Sequence, residues 1–457
     1  SSLKTPKIGT MAPASTPDPS SEPASQQPIG WRETITVYVS APALRMFFLG
    51  FSAGLPLLLV LGTLSFRLRE AGVDRATIGF LSWVGLAYAF KWAWAPLVDR
   101  LPLPWFTKRL GRRRSWLLLA QGAIALGLIG MARSDPQIEL QALVGWALLV
   151  AFGSATQDIA LDAYRIESAQ ARQQAALAAT YQTGYRLAMI WAGAGVLWLA
   201  ASAQTDTGYQ HQAWHWAYAV MAASMAVGMV TVLMAPEPYR EPLSPSRDLK
   251  TWLREALIEP FAQFIEQHRW HAVLILALIG VYRISDVVMG IMANPFYVDM
   301  GYTKEQVATV SKIFGVIMTL LGAFIGGGLS MRFGIWRILM LGAILSAASN
   351  LLFAWLAQQP PSITALVWVV SADNLAGGIA SAAFIAYLSS LTQVQYSATQ
   401  YALFSSMMLL APKWLAGFSG VFVDAYGYPA FFTATALLGV PVLLLILWAQ
   451  PGRNSER

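Results

Sequence analysis

Residues 115–133 read Ser-Trp-Leu-Leu-Leu-Ala-Gln-Gly-Ala-Ile-Ala-Leu-Gly-Leu-Ile-Gly-Met-Ala-Arg, a run without a single acidic side chain. A helix needs about 20 mostly apolar residues to cross a hydrocarbon core of about 30 Å. The one charged residue of the run, Arg133, stands where such a helix would reach the membrane surface. This stretch therefore predicts a membrane-spanning helix.

Comparable apolar runs recur along the whole chain of 457 residues, of which 56% are apolar and only 12% are charged. Soluble domains carry about 25% charged residues, so this composition argues against a water-soluble enzyme and predicts an all-α, multi-pass membrane protein. We predict twelve transmembrane helices, over residues 43–66, 77–98, 115–133, 140–163, 174–202, 214–235, 272–298, 306–331, 335–357, 363–391, 398–423 and 428–449.

Basic residues are distributed unevenly between the loops on the two sides of these spans. An even number of spans places both termini on one side, and the loops of that side hold 17 lysines and arginines against five in the opposite loops. Because basic loops stay in the cytoplasm, both termini are predicted to be cytoplasmic. The asymmetry also accounts for the net charge of +7, so no nucleic-acid partner is expected.

The longest internal connection, residues 236–271, separates six spans from six. Ala163-Tyr164 in the fourth span recurs as Ala386-Tyr387 in the tenth, 223 residues later, which indicates two related halves. Two six-helix halves with a substrate site between them are the architecture of major facilitator transporters. The predicted organisation is a disordered tail with a lead-in (1–41), a first bundle (42–235), a linker (236–271), a second bundle (272–450) and a cytoplasmic tail (451–457).

The linker contains a predicted amphipathic helix. Its apolar residues share one helical face, on Leu249, Trp252, Leu253, Ala256 and Leu257. Such a helix lies on a membrane surface, and Pro260 would interrupt it. We expect the segment to act as a strap between the two bundles.

A basic cluster with one acid follows the second span, which ends Pro-Leu-Val-Asp-Arg at 96–100 and is followed by Lys-Arg-Leu-Gly-Arg-Arg-Arg at 108–114. A carboxylate beside several cations can lock neighbouring helices through charge-assisted bonds that rearrange when the halves rock. The corresponding stretch of the second half, 326–337, keeps glycines and arginines but has no aspartate. The alternative is that these cations only set the topology of the membrane protein. The predicted gating residues are Asp99, Arg100, Arg112, Arg113 and Arg332.

Two acids lie on one face of the fourth span. Asp158 and Asp162 are four residues apart, and Arg165 is placed to pair with Asp162. Removal from water and the charge of a neighbouring carboxylate both favour the protonated form of a carboxyl group. Either acid could therefore hold a proton, which is the requirement for proton coupling. The alternative for Asp162 is a structural ion pair near the membrane surface.

Seven more charged residues are predicted to lie inside spans, namely Lys91, Arg186, Arg283, Asp286, Lys312, Asp373 and Lys413. A charge at mid-membrane costs at least about 2.5–3.5 kcal/mol on insertion scales, so each should face a cavity or a partner. Arg283 can pair with Asp286, whereas Arg186 has no acid on its own helix and could meet Asp373 or a substrate carboxylate. Because cations predominate, we expect a cavity that favours an anionic substrate.

Aromatic residues near these charges could hold the flat rings of a substrate. The predicted substrate-binding residues are Gln157, Tyr164, Tyr181, Tyr185, Arg186, Arg283, Lys312, Asn374, Tyr387 and Lys413, and the predicted proton-coupling residues are Asp158, Asp162, Asp286 and Asp373.

The chain has no cysteine, and its four histidines lie in or beside loops. We therefore expect no metal, no cofactor and no catalytic centre. The protein is also expected to be a monomer.

Five stretches resemble those of AmpG-type muropeptide permeases: Ser154–Arg165, Thr183–Ala188, Tyr282–Asp286, Asp373–Ser381 and Ser397–Leu403. The resemblance extends from about residue 42 to residue 450. It implies a permease of the bacterial inner membrane that imports N-acetylglucosaminyl-1,6-anhydro-N-acetylmuramyl peptides with protons, for peptidoglycan recycling. The matching motifs imply functional roles for Gln157, Asp158, Asp162, Arg186 and Asp373.

Other functions remain open from the sequence. A secondary transporter of another anionic metabolite, such as an acyl-CoA or a sugar conjugate, would show the same charges. A membrane-embedded transferase would need a catalytic base or a metal site, and a channel would need repeated pore-lining segments. Uptake into sealed vesicles against a gradient separates a transporter from both.

Overall fold

The computed structural model describes residues 31–73, 77, 81–206, 208–239, 251, 254, 258–302, 306, 308–416 and 418–450. Every regular element in these ranges is a helix. The predicted tails at 1–30 and 451–457 lie outside the described residues, and so do the five residues of the predicted surface helix in the linker.

The helices before the linker carry the first six predicted spans. They are α1 (Trp31–Tyr38), α2 (Ala41–Val60), α3 (Gly62–Glu70), α4 (Leu86–Ala89), α5 (Ala95–Arg100), α6 (Phe106–Leu110), α7 (Arg112–Arg133), α8 (Leu140–Ser168), α9 (Gln174–Ile190), α10 (Val196–Ala203), α11 (His211–Ser224) and α12 (Ala226–Met234). Short 3₁₀ turns occupy Ser82–Gly85, Lys91–Ala93 and Ala171–Gln173, and a π-helical turn at Trp191–Gly195 joins α9 to α10.

The remaining helices lie at the end of the linker and in the second half. They are α13 (Glu259–His268), α14 (His271–Val281), α15 (Ile284–Asp299), α16 (Gly315–Phe333), α17 (Ile335–Leu356), α18 (Ile363–Leu391), α19 (Ser397–Ala416), α20 (Ser419–Leu437) and α21 (Gly439–Ala449). A π-helical segment at Ala308–Phe314 precedes α16, and a 3₁₀ turn at Val394–Tyr396 precedes α19. Pro260, which is predicted to interrupt the surface helix, lies in the first turn of α13. Proline is tolerated there because the first turn has no internal partner for its missing N–H.

Ten helical segments within the described residues are long and apolar enough to cross a membrane. The second predicted span, 77–98, differs because its described part consists of short 3₁₀ and α pieces. The last two spans meet at Gly427, whose φ of +81° is a backbone conformation that favours glycine. The chain therefore turns at Gly427, close to the predicted end of the eleventh span at residue 423 and the predicted start of the twelfth span at residue 428.

Each half has its own apolar core. In the first half, Leu59, Leu128 and Met221 are among the fully buried side chains, and in the second half Leu278 and Phe384 are. The halves contact each other where α9 packs against α16 and where α19 packs against α5 and α8. These contacts place α8, α9 and α19 around the space between the halves.

Helices α16 and α18 pack so closely that glycine is required at the contact. A Cβ atom added to Gly378 would lie 2.2 Å from the backbone oxygen of Thr319, and one added to Gly322 would lie 2.2 Å from that of Leu375. Close approach of this kind is the usual role of small residues between membrane helices. The contact fixes α18, which carries Asp373.

We expect Gly378→Ala to destabilise the protein by about 1–3 kcal/mol, because the added methyl group forces α16 and α18 apart. Thermal unfolding of the purified protein in detergent measures the change. Gly280→Ala is the matched control, since nothing lies within 4 Å of its added Cβ. Equal unfolding temperatures for the two variants would contradict the packing argument.

Candidate functional site

A cavity of about 610 Å³ lies between the two halves. This volume is in the range of sites that hold one small organic ligand. The first half contributes most of its polar wall through Tyr88, Lys91, Asp158, Asp162, Arg165, Tyr181, Gln182 and Tyr185, and the second half contributes Ile385, Tyr401, Ser405, Ser406, Met408, Leu409 and Leu410.

The helical repeat explains why these side chains converge. Asp158, Asp162 and Arg165 are spaced four and three residues apart along α8, so they lie on one face of that helix. Tyr181 and Tyr185 are four residues apart and share one face of α9. Lys91 enters the cavity from a 3₁₀ turn at which the second span is not α-helical. Irregular backbone in a span commonly marks the binding site of a transporter.

The charges that line the cavity are balanced, which differs from the expected cationic surplus. Asp162 and Arg165 form an ion pair at 3.5 Å, and Arg165 also donates to Gln174 Oε1 at 2.7 Å. Asp158 interacts electrostatically with Lys91. The surplus is absent here because both acids of α8 face the same wall as the two bases.

The unbalanced positive charge is one helical turn away. Arg186 follows Gln182 by four residues on α9, and in the described part of the chain its guanidinium has no hydrogen bond or ion pair. It interacts electrostatically with Arg283 of the other half. Both arginines are twelve residues into their candidate spans, which is about 18 Å along each helix, so they lie at similar depths.

Arg283 forms the predicted ion pair with Asp286, and its Nη1 donates to Ser381 at 2.6 Å. Asp373 accepts a hydrogen bond from Ser349 Oγ at 2.8 Å, and within the described residues it has no ion pair with Arg186. The expected pairing of Arg186 with Asp373 is therefore not formed. The alternative partner of Arg186, a substrate carboxylate, stays a prediction.

Several predicted substrate-binding residues do not line this cavity. Gln157 is fully buried behind it and accepts from Ser52 Oγ at 3.0 Å, while the Tyr164 hydroxyl donates to the Pro236 carbonyl at 3.0 Å. Tyr387 is buried in the core of the second half. Asn374 accepts from Thr319 Oγ1 at 2.9 Å. The side chains of Lys312 and Lys413 lie outside what the structure describes.

A second polar cluster joins the halves on the face where α2 begins and α21 ends, which we call the terminal face. Asp99 of α5 binds Arg113 Nη2 at 2.7 Å and is 1% exposed. Its carboxylate also accepts from the amides of Ala398 (3.2 Å) and Thr399 (2.7 Å), at the start of α19 in the other half. Asp99 thus links two halves, with the helix dipole of α19 adding to the attraction.

Glu167 completes this cluster, although it is not among the predicted site residues. Its carboxylate binds Arg113 Nη2 at 2.6 Å and accepts from Ser397 Oγ at 2.6 Å. Glu167 lies in the last turn of α8, and a single acid near a helix end has no distinctive sequence pattern. Ser397 and Thr399 were noted only as part of the stretch Ser397–Leu403.

The other predicted gating residues have different positions. Arg112 donates to the Asp99 carbonyl, and Arg100 stacks over the Tyr396 ring at 5.8 Å from its centroid. Arg332 lies over the Phe333 ring at 5.6 Å, at the end of α16. The structure therefore brings Asp99, Arg112 and Arg113 together, while Arg332 belongs to the other half.

Comparison with known proteins adds the family context. The family model described as Major Facilitator Superfamily matches residues 46–411. The anhydromuropeptide permease of Escherichia coli K12 is 34% identical over 403 residues, which cover 88% of this chain and 78% of that protein. A protein of Rickettsia conorii named putative transporter AmpG 4 is 34% identical over 412 residues, covering 90% of this chain and 97% of that one.

Solved structures show the same fold. The E. coli fucose:proton symporter superimposes with a TM-score of 0.65 at 13% identity, covering 91% of this chain and 98% of that one. A human organic anion transporter gives a TM-score of 0.60 at 16% identity, covering 91% and 99%. These identities are low, so the likeness concerns the fold alone.

Proposed function

The chain belongs to the major facilitator superfamily and, within it, to the AmpG-type permeases, and from this premise we propose that it imports anhydromuropeptides with protons for peptidoglycan recycling. The expected all-α transporter fold and the expected transport class, in place of an enzyme, are confirmed by the family assignment. The proposed route runs from the periplasm to the cytoplasm, across the bacterial inner membrane, with both termini cytoplasmic.

The observation that carries the proposal is Arg186, which has no ion pair among the described residues and lies close enough to Arg283 for the two charges to interact, beside a cavity lined by four tyrosines. A cation in a span that lacks a partner needs a cavity or an anion to offset its cost. Guanidinium groups bind carboxylates through two parallel hydrogen bonds. An anhydromuropeptide carries both parts that this arrangement fits, sugar rings and peptide carboxylates.

Proton coupling is assigned in the proposal to the carboxylates of the two halves. Asp158 and Asp162 line the cavity, so a proton bound there is sensitive to the substrate. Asp373 and Asp286 stand beside Arg283 in the second half, where a substrate carboxylate would compete with them for the guanidinium. Asp158 is the first candidate carrier and Asp373 the second.

Uptake into proteoliposomes tests the proposal directly. Purified full-length protein is reconstituted, and accumulation of a radiolabelled anhydromuropeptide is followed with and without an imposed proton gradient. We expect accumulation that a protonophore abolishes. Uptake of an acyl-CoA or of another organic anion, with none of the muropeptide, would overturn the substrate assignment.

Arg186 should distinguish substrates by their charge. Arg186→Lys keeps the charge but loses the fork, so we expect about tenfold weaker transport of the peptide-bearing substrate, and about a hundredfold with Arg186→Ala. The defect should be smaller for the anhydro-disaccharide without a peptide. Equal losses for both substrates would mean that Arg186 serves folding and does not recognise the peptide.

A further inference from the structure

The charged residues that line the cavity between the halves neutralise one another. Asp162 pairs with Arg165, and Lys91 stands within electrostatic range of Asp158. The wall therefore offers equal numbers of acids and bases to a ligand. An anionic group gains little net attraction there, in contrast to the position of Arg186 one turn further along α9.

Hydrogen-bonding capacity, unlike charge, is left open in the cavity wall. Tyr88 Oη and Asp158 Oδ1 are both buried atoms that have no hydrogen-bond partner among the described residues, and both residues line the cavity. Ser154 Oγ, one turn from Asp158 on α8, is a third such atom and lies near Tyr88. Buried polar groups in proteins are almost always satisfied, so this cluster calls for a partner from outside the chain.

Flat aromatic surfaces border the same atoms. The rings of Tyr181 and Tyr185 lie 6.0 Å apart at an angle of 45°, and both line the cavity with Tyr88. Rings beside open donors and acceptors suit a ligand that is itself flat-faced and rich in hydroxyl and amide groups. An N-acetylated sugar has this chemistry and carries no charge.

We infer that this cavity is the subsite for the uncharged saccharide part of the substrate, with Tyr88 as a specificity-determining residue that hydrogen bonds the sugar. Asp158 Oδ1 accepts from a second sugar group, and the peptide carboxylates go to Arg186 and Arg283. This assignment rests on the proposed function. It divides recognition into a neutral subsite and a cationic subsite.

The test uses the purified full-length protein and two ligands, an anhydromuropeptide and the uncharged disaccharide diacetylchitobiose. In wild type we expect diacetylchitobiose to bind weakly and to compete with the muropeptide. Tyr88→Phe removes only the hydroxyl oxygen, so both ligands should bind about 3- to 10-fold more weakly, the value of one neutral hydrogen bond. Arg186→Gln should weaken the muropeptide and leave diacetylchitobiose unchanged.

Tyr218→Phe is the matched control for a structural effect. Tyr218 is a fully buried tyrosine of the same half, and its hydroxyl donates to the Leu59 carbonyl at 2.9 Å. We expect Tyr218→Phe to lower the unfolding temperature without changing affinity. Tyr88→Phe should lower affinity without lowering the unfolding temperature, because the Tyr88 hydroxyl has no hydrogen-bond partner in the part of the chain that the structure describes.

Wild-type affinity of Tyr88→Phe for both ligands would overturn the inference, as would a fall in its unfolding temperature with unchanged affinity. Competition by diacetylchitobiose that Arg186→Gln abolishes would also overturn it, since the sugar would then lie at the arginines. If the wild-type protein binds no anhydromuropeptide, the proposed function fails and the inference fails with it.

Discussion

Replacing Asp158 with asparagine is expected to abolish accumulation of substrate against its gradient. Asp158 lines the cavity near Lys91, where a proton and a substrate can influence each other. The amide cannot be protonated in the working pH range, but its Oδ1 still accepts a hydrogen bond. Substrate exchange across the membrane at equal concentrations should therefore continue, while accumulation driven by a proton gradient should fall to the background of empty liposomes.

Two measurements make this prediction specific to Asp158. Asp206→Asn changes an exposed acid outside the cavity and should accumulate substrate as wild type does. Asp373→Asn tests the second candidate under the same conditions. Normal proton-driven accumulation by a well-expressed Asp158→Asn variant would exclude Asp158 as the carrier, and loss in Asp373→Asn alone would move the role to the second half.

Asp99→Asn is expected to open the terminal face. The Asp99 carboxylate joins Arg113 of its own half to the start of α19 in the other half, and breaking one partner of a buried ion pair costs about 3–5 kcal/mol. The conformation with the terminal face closed should therefore become less populated. Exchange between the two conformations should slow more than binding weakens, because Asp99 does not line the cavity.

The chain has no cysteine, so a single introduced cysteine reports access without further changes. In a Ser406→Cys background, we expect labelling from the terminal face to rise at least about tenfold with Asp99→Asn. Arg109→Gln is the control, since Arg109 belongs to the same basic loop but stacks on Trp105 at 4.4 Å. A tenfold loss of affinity with unchanged labelling and unchanged exchange would show that Asp99 is not a gate.

The site could be predicted from the sequence where its residues share a helix. Asp158, Asp162 and Arg165 have fixed spacing on α8, and the structure forms the expected ion pair between the last two. Arg283 and Asp286, which are three residues apart at the start of α15, also form their expected ion pair. For Gln157 and Tyr164, on the same helix, the side chain's direction depends on which neighbouring helix it meets, and both face away from the cavity.

The membrane class, the approximate spans and the acid beside the basic cluster can be predicted from the sequence, because apolar length and charge are properties of contiguous residues. That Asp99 meets the amides of Ala398 and Thr399, 299 and 300 residues away, and that Glu167 joins them depends on the tertiary structure. It also decided that the cavity charges balance while Arg186 is left opposite Arg283. Packing between helices far apart in the chain sets these contacts, and no local periodicity encodes which faces will meet.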